Sequence, residues 1–168
     1  IAPPMNAKSP SHLAYSVVGD RYTFLLTGAD TGGTHAVFEF YVPAGSGSPP
    51  HVHQREDEAF YIVDGEFEFT VAGEPVRVAA GGFLLGRRGV PHNFKNIGAT
   101  PGRMVVTVTP AGLEDFFSEI GTRLASSDAA PATPIANATR RLVNRCRIAR
   151  PSRARVCPRG WRVKSQRP

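Results

Sequence analysis

The stretch PPHVHQREDEAFYIVDG, Pro49 to Gly65, decides how this chain is read. Two histidines one residue apart are followed by three acids, an apolar run and a glycine. In a strand, residues i and i+2 point to one face, so His51 and His53 present two imidazoles side by side. Imidazole suits Fe, Ni, Cu, Zn and similar ions. One H-x-H pair alone is weak ground for a metal site. Of the three acids, Glu58 starts the apolar strand and shares a face with Phe60 and Ile62. Glu56 and Asp57 fall in the preceding turn and are expected to face solvent. A carboxylate aimed into an apolar interior is costly unless a cation or a donor compensates it. A third histidine, His92, follows a loop with Gly89 and Pro91 and leads into a short strand. A strand placed beside His51–His53 could aim it at the same point.

Working outward, the texture from Arg21 to Pro110 is β. RYTFLL and THAVFEFYV are rich in β-branched and aromatic residues, and Ala36, Phe38, Phe40 and Val42 fall on one face. EAFYIV and EFEFTV flank Asp64-Gly65, which reads as a tight hairpin. AGEP is a second turn, and RMVVTVT closes the β region. Many short strands with regular turns favour a sandwich or barrel. Phe38, Phe40, Phe60, Ile62, Phe67, Phe69, Phe83, Phe94 and Met104 are candidates to fill its core or line a cavity. His12, His35, Tyr41 and Tyr61 are expected to face outward. In LEDFFSEIG, Leu113, Phe116, Phe117 and Ile120 recur at helical spacing, with Gly121 as a stop. This helix is expected to pack on the outside of the β body, its phenylalanines serving the core.

Charge divides the chain. Residues 1–130 hold 9 basic and 14 acidic residues, a balance of −5, whereas 131–168 hold 11 basic residues and no acid. The domain is therefore placed at 1–124, with its core at about 15–120, followed by a linker and basic tail at 125–168 expected to be disordered. The tail has one aromatic residue, Trp161, hence no stacking platform, and a nucleic-acid role is not expected. Both cysteines, Cys146 and Cys157, lie in the tail, so the domain has no thiolate ligand, thiol nucleophile or disulfide. No run of about 18 apolar residues is present, and no membrane span is expected. The start, IAPPMNAKSP, lacks an apolar core before a small-residue cleavage site, and a cytoplasmic location is expected.

Gly45, His51, His53, Glu58 and Gly65 fulfil the pattern G-x5-H-x-H-x4-E-x6-G, which resembles the first signature of the cupin superfamily. Gly81, Gly89, His92 and Asn96 match the second, G-x5-P-x-G-x2-H-x3-N, with Arg87 in place of its proline. The chain is similar to small bacterial cupins of the quercetin 2,3-dioxygenase-like group. The resemblance implies an all-β, double-stranded β-helix (jelly-roll) barrel with a short C-terminal helix. It implies that His51, His53, Glu58 and His92 ligate a divalent transition metal (Fe, Mn, Ni, Co or Cu), with Asn96 structural. It further implies a dioxygenase acting on a small phenolic or enolisable substrate, with dioxygen as co-substrate and Glu58 as both ligand and proton acceptor. A metal-dependent isomerase or cyclase and a non-enzymatic binding or sensory cupin are the alternatives. Cupins commonly pair through their sheets, so a homodimer is a further expectation. Ligation needs neutral imidazoles, so metal affinity is expected to fall below about pH 6.5.

Overall fold

A computed structural model describes residues 13–132 together with two short strands at 155–156 and 161–163. Cys146, Cys157, His12 and most of the basic tail lie outside the described residues. The strands are β1 (Ala14–Val17), β2 (Asp20–Leu26), β3 (Ala36–Val42), β4 (His51–His53), β5 (Asp57–Asp64), β6 (Glu66–Val71), β7 (Glu74–Ala79), β8 (Phe83–Gly86), β9 (His92–Asn96), β10 (Gly102–Thr109), β11 (Thr122–Arg123), β12 (Arg155–Val156) and β13 (Trp161–Val163). Two helices, α1 (Gly28–Thr31) and α2 (Leu113–Ile120), complete them. One sheet runs β11-β1-β2-β3-β10-β5-β8 and the other β12-β13-β4-β9-β6-β7. Their inner faces enclose one apolar cluster, giving the jelly-roll architecture that the sequence implied.

Period-two burial builds that cluster. On β3, Ala36, Phe38, Phe40 and Val42 are buried while the residues between them are half-buried. On β10, Met104, Val106 and Val108 alternate in the same way. Eight of the nine expected core residues are buried. The exception is Phe83, 63 % exposed on edge strand β8, where Gly86 faces inward instead.

Asp64-Gly65 does not make a hairpin. β5 pairs with β10 and β8, whereas β6 pairs with β7 and β9 in the opposite sheet. Gly65 (φ 89°) alone separates the two strands and turns a corner between sheets. A hairpin would have set Ile62 beside Phe67 and Phe60 beside Phe69. The corner also brings these residues inward, with the rings of Phe60 and Phe69 5.1 Å apart. The apolar pattern therefore fits both arrangements. The two-residue hairpins are at Val18-Gly19 and Ala72-Gly73, where both central residues have positive φ.

Helix α2 also departs from expectation in its position. It runs over the expected residues, but Phe117 enters the interior, with ring centroids 4.9 Å from Tyr22, 5.3 Å from Phe38 and 5.9 Å from Phe40. The helix plugs the sandwich rather than lying on its outer face. The basic segment, expected to stand apart, contributes β12 and β13 to the second sheet. There β13 pairs antiparallel with β4, Trp161 opposite His53 and Val163 opposite His51.

The segment before β4 is held from two sides. Gly47 bridges Lys95, and a Cβ at Gly47 would lie inside the carbonyl of Phe94, so only glycine allows this approach. Ser46 donates a 2.5 Å hydrogen bond to Asp20, whose carboxylate is fully buried behind the β1–β2 turn. Asn96 is structural, as expected: it donates to the carbonyls of Val42 and Thr100 and accepts from the Gly98 N–H.

Two predictions concern stability. Burial pushes the Asp20 carboxyl up to about 7, against a partial offset from Ser46. The fold thus favours the protonated form, and this group's contribution falls as pH rises from about 4 to 7. Asp20→Asn is expected to match the parent near pH 4 and to exceed it by roughly 2–4 kcal/mol at pH 8, read by urea denaturation at both values. A gain of equal size at both pH values contradicts the assignment. Phe117→Ala removes a ring from the buried aromatic cluster and is expected to cost about 3–5 kcal/mol in the same assay.

Candidate metal centre

The second sheet and β5 bring the three motif histidines and one acid together. All three residues of β4 are buried, so His51 and His53 both project into protein. Across the β4–β9 pair, His51 stands directly opposite His92. Glu58 reaches the same point from β5, facing Gly86 in the register with β8. A Cβ at Gly86 would lie 3.3 Å from the His92 ring and 3.4 Å from Phe60. Glycine therefore leaves the space that the His92 imidazole uses.

The donor atoms converge. Glu58 Oε2 lies 3.0 Å from His53 Nε2, 3.0 Å from His92 Nε2 and 3.9 Å from His51 Nε2. One ligand atom from each of the four residues falls within 4.8 Å of all the others, and all four residues are buried. The outer ring nitrogens fix two tautomers. His51 Nδ1 is 2.8 Å from the carbonyl of Pro49, and His92 Nδ1 is 2.9 Å from that of Val90. A carbonyl only accepts, so Nδ1 carries the proton in both rings and each Nε2 directs its lone pair at Glu58. Lone pairs aimed at an anionic oxygen repel unless a proton or a cation lies among them. The donor set, three imidazole nitrogens and one carboxylate oxygen, suits a divalent transition ion.

Glu56 corrects the expectation that it faces solvent. It is 2 % exposed, and its carboxylate is 3.8 Å from His53 Nδ1. The turn at Gln54 and Arg55 folds the chain back, so position i+3 lands behind the imidazole instead of outside. A carboxylate at that distance is an ion-pair partner for a protonated His53 and raises the basicity of the ring. Asp57 is half-buried and binds Arg88 through its backbone N–H (2.8 Å) and its guanidinium (2.7 Å). Those bonds hold its carboxyl down at about 2 and tie the loop before His92 to β5. Gly89 N–H donates to the His53 carbonyl at 2.7 Å, securing the other side of that loop. His35 is half-buried in a loop beside Thr34, and Tyr61 is exposed, both away from the cluster.

A cavity opens from the cluster toward α2. His51 and Glu58 form its floor, and Val17, Tyr22, Phe40, Phe94, Phe116, Phe117 and Ile120 are among its walls. Sequence reasoning missed Tyr22 and Glu56. The alternation of Asp20, Tyr22 and Phe24 on β2 carried the only available signal for the first. Phe116 and Phe117 serve both the core and the cavity.

Electrostatics within the cluster are strong. Burial opposes the Glu58 carboxylate, but the charge of His53 and its hydrogen bond hold it well below the usual carboxylate range. Burial also opposes the His53 imidazolium, yet Glu58 and Glu56 outweigh it and raise His53 to about 9. His51 is lowered to about 4, chiefly by burial. Glu58 with a protonated His53 is therefore the metal-free state at neutral pH. Burial also drives the Tyr22 phenol well above 10, with the charges of Asp20 and Glu58 adding to the effect.

Residues 38–108 match the cupin domain family Cupin_2. These residues form a cupin domain. The chain is 27 % identical over 127 residues to the tetracenomycin polyketide synthase protein TcmJ of Streptomyces glaucescens, covering 75 % of this chain and 83 % of that protein. It is 28 % identical over 128 residues to a quercetin 2,3-dioxygenase of Aspergillus japonicus, covering 72 % of this chain but 36 % of that enzyme. The chain thus spans about a third of that dioxygenase's length. Among solved structures, a predicted oxalate decarboxylase from Thermotoga maritima superposes with a TM-score of 0.56 at 23 % identity, over 63 % of this chain and 99 % of that one. That likeness is one of fold. No helix among the described residues is long and apolar enough to cross a membrane.

The proton on His53 moves the expected pH dependence upward from the value of about 6.5 that free imidazole suggests. Titration with a divalent ion at pH 7.5 is expected to release about one proton per ion, and apparent affinity to rise about tenfold per pH unit between roughly 6 and 9. Calorimetry in buffers of different ionisation enthalpy reads the proton. Uptake without proton release at pH 7.5 would mean that His53 is already neutral.

Proposed function

We propose that His51, His53, Glu58 and His92 hold a divalent transition ion, and that the protein is a metal-dependent dioxygenase acting on a small phenolic or enolisable molecule. The observation that carries this reading is the convergence of three imidazole Nε2 atoms on one buried carboxylate oxygen at the floor of an aromatic-walled cavity. Fe, Mn, Ni, Co and Cu all suit the donor set. Such an ion, when bound, supplies Lewis-acid polarisation of a substrate oxygen.

The chain's own residues do the rest. Glu58, held as a carboxylate, accepts the proton of a substrate hydroxyl, leaving an electron-rich oxyanion toward dioxygen. Glu56 holds the His53 ring in place from behind. Phe40, Phe94, Phe116 and Phe117 surround the cavity above Glu58 with apolar surface and exclude water from it. Similarity to a quercetin dioxygenase supports the phenolic class. Similarity to a polyketide synthase protein over three-quarters of the chain favours a second reading, an isomerase or cyclase acting on a polyketide without oxygen chemistry.

Elemental analysis of the purified protein beside His92→Ala is the first test. The parent is expected to retain about one transition ion per chain and the variant at least tenfold less, since one buried ligand is lost. A parent that takes up no ion when supplied defeats the enzyme reading, and undiminished metal in the variant defeats the ligand assignment. Oxygen uptake with quercetin and acetylacetone then separates the readings. Product formation without oxygen consumption favours the isomerase or cyclase.

A further inference from the structure

The two cupin motifs account for His51 and Glu58 in the cavity wall, but not for Tyr22. Tyr22 is 3 % exposed on the inward face of β2. Its ring lies flat against Phe40, with centroids 3.7 Å apart and an interplanar angle of 14°. Phe117 meets it edge-on, at 4.9 Å and 74°. A ring held on one face and along one edge has little rotational freedom, so its hydroxyl points in a fixed direction.

Among the described residues that hydroxyl has no hydrogen-bond partner. Tyr22 lines the cavity together with His51 and Glu58. The other neutral hydroxyl in the wall, that of Ser48, accepts from the Phe94 N–H at 3.2 Å, which fixes its oxygen against β9. Phenylalanine would fill the aromatic cluster equally well. A desolvated phenol with no internal partner is unfavourable unless something entering the cavity completes it.

We propose that Tyr22 is the specificity-determining donor of this cavity, giving a hydrogen bond to a second oxygen of a substrate whose first oxygen faces Glu58. The inference rests on the small-molecule reading above and narrows its substrate class. The preferred molecule is a planar ring or enolate bearing two oxygens, not a monophenol. The aromatic walls sort for planarity, whereas Tyr22 sorts for the second oxygen. Sites built to pair a substrate hydroxyl or carbonyl discriminate strongly against analogues that lack it.

The test compares 4-nitrocatechol with 4-nitrophenol, both followed by visible absorbance, on metal-loaded and metal-free protein. The variant is Tyr22→Phe, which keeps the stacked ring. Its metal content and thermal midpoint are measured alongside. The parent is expected to bind 4-nitrocatechol more tightly than 4-nitrophenol. Tyr22→Phe is expected to weaken 4-nitrocatechol about 5- to 50-fold and to leave 4-nitrophenol within about twofold, with metal content unchanged. Equal weakening of both probes would make Tyr22 a packing residue and overturn the inference, as would no weakening of either. A parent that binds neither probe overturns it together with the phenolic reading. A parent that takes up no metal but shows the selective loss defeats the dioxygenase proposal and leaves the role of Tyr22 standing.

Discussion

Glu58 places a carboxylate beneath three imidazoles, at 3 % exposure, in a sandwich otherwise filled with phenylalanine. Such a charge cannot be left alone in that setting; it must be matched by a proton, a donor or a cation. The surrounding structure supplies the match from three strands. β4 gives two rings on one face, β9 sets a third directly opposite the first, and β5 crosses from the other sheet with the carboxylate. The Pro49 and Val90 carbonyls lock the two facing rings in the same tautomer by the same contact two residues upstream. Glu56 places a second carboxylate 3.8 Å from the remaining ring. Local chain geometry thus prepares the cluster before any ligand arrives, as a binding site requires.

That preparation explains features of the scaffold that packing alone leaves open. Gly86 gives up a side chain on an inward position so that His92 can occupy the space. Asp57 spends both carboxylate oxygens on Arg88, which anchors the loop feeding β9. Asp20 stays buried with one hydrogen bond, joining the β1–β2 turn to the segment that delivers β4. A buried carboxyl is a poor device for stability alone. Its position links the cavity roof, where Val17 and Val18 lie, to the strand that carries His51.

Legibility in the sequence followed the locality of each signal. The convergence of His51, His53 and Glu58 was readable because i, i+2 spacing on β4 and alternation along β5 fix side-chain faces without long-range information. The core was readable for the same reason, and Phe83 failed because β8 is an edge strand whose inward position belongs to Gly86. Asp64-Gly65 misled because hairpin and corner bury the same residues, and only the pairing partners differ. Glu56 misled because its burial follows from a tight reversal at Gln54 and Arg55, not from periodicity. Tyr22 was invisible because its significance depends on Phe40, Phe117 and Glu58, which meet it only in three dimensions.

The apolar interior therefore has two occupations that compete for the same atoms. Phe117 stabilises the fold through its contacts with Tyr22, Phe38 and Phe40, and it also closes the cavity above Glu58. The cavity can be enlarged on this side only by removing rings from the core, at a cost of several kcal/mol for a residue so buried. Helix α2 joins these demands, since Phe116, Phe117 and Ile120 on one eight-residue element both plug the sandwich and shape the pocket. The size of the cavity is thus coupled to stability through α2. Changes that broaden one without losing the other must come from the β1–β2 turn, where Val18 lines the cavity outside the buried core.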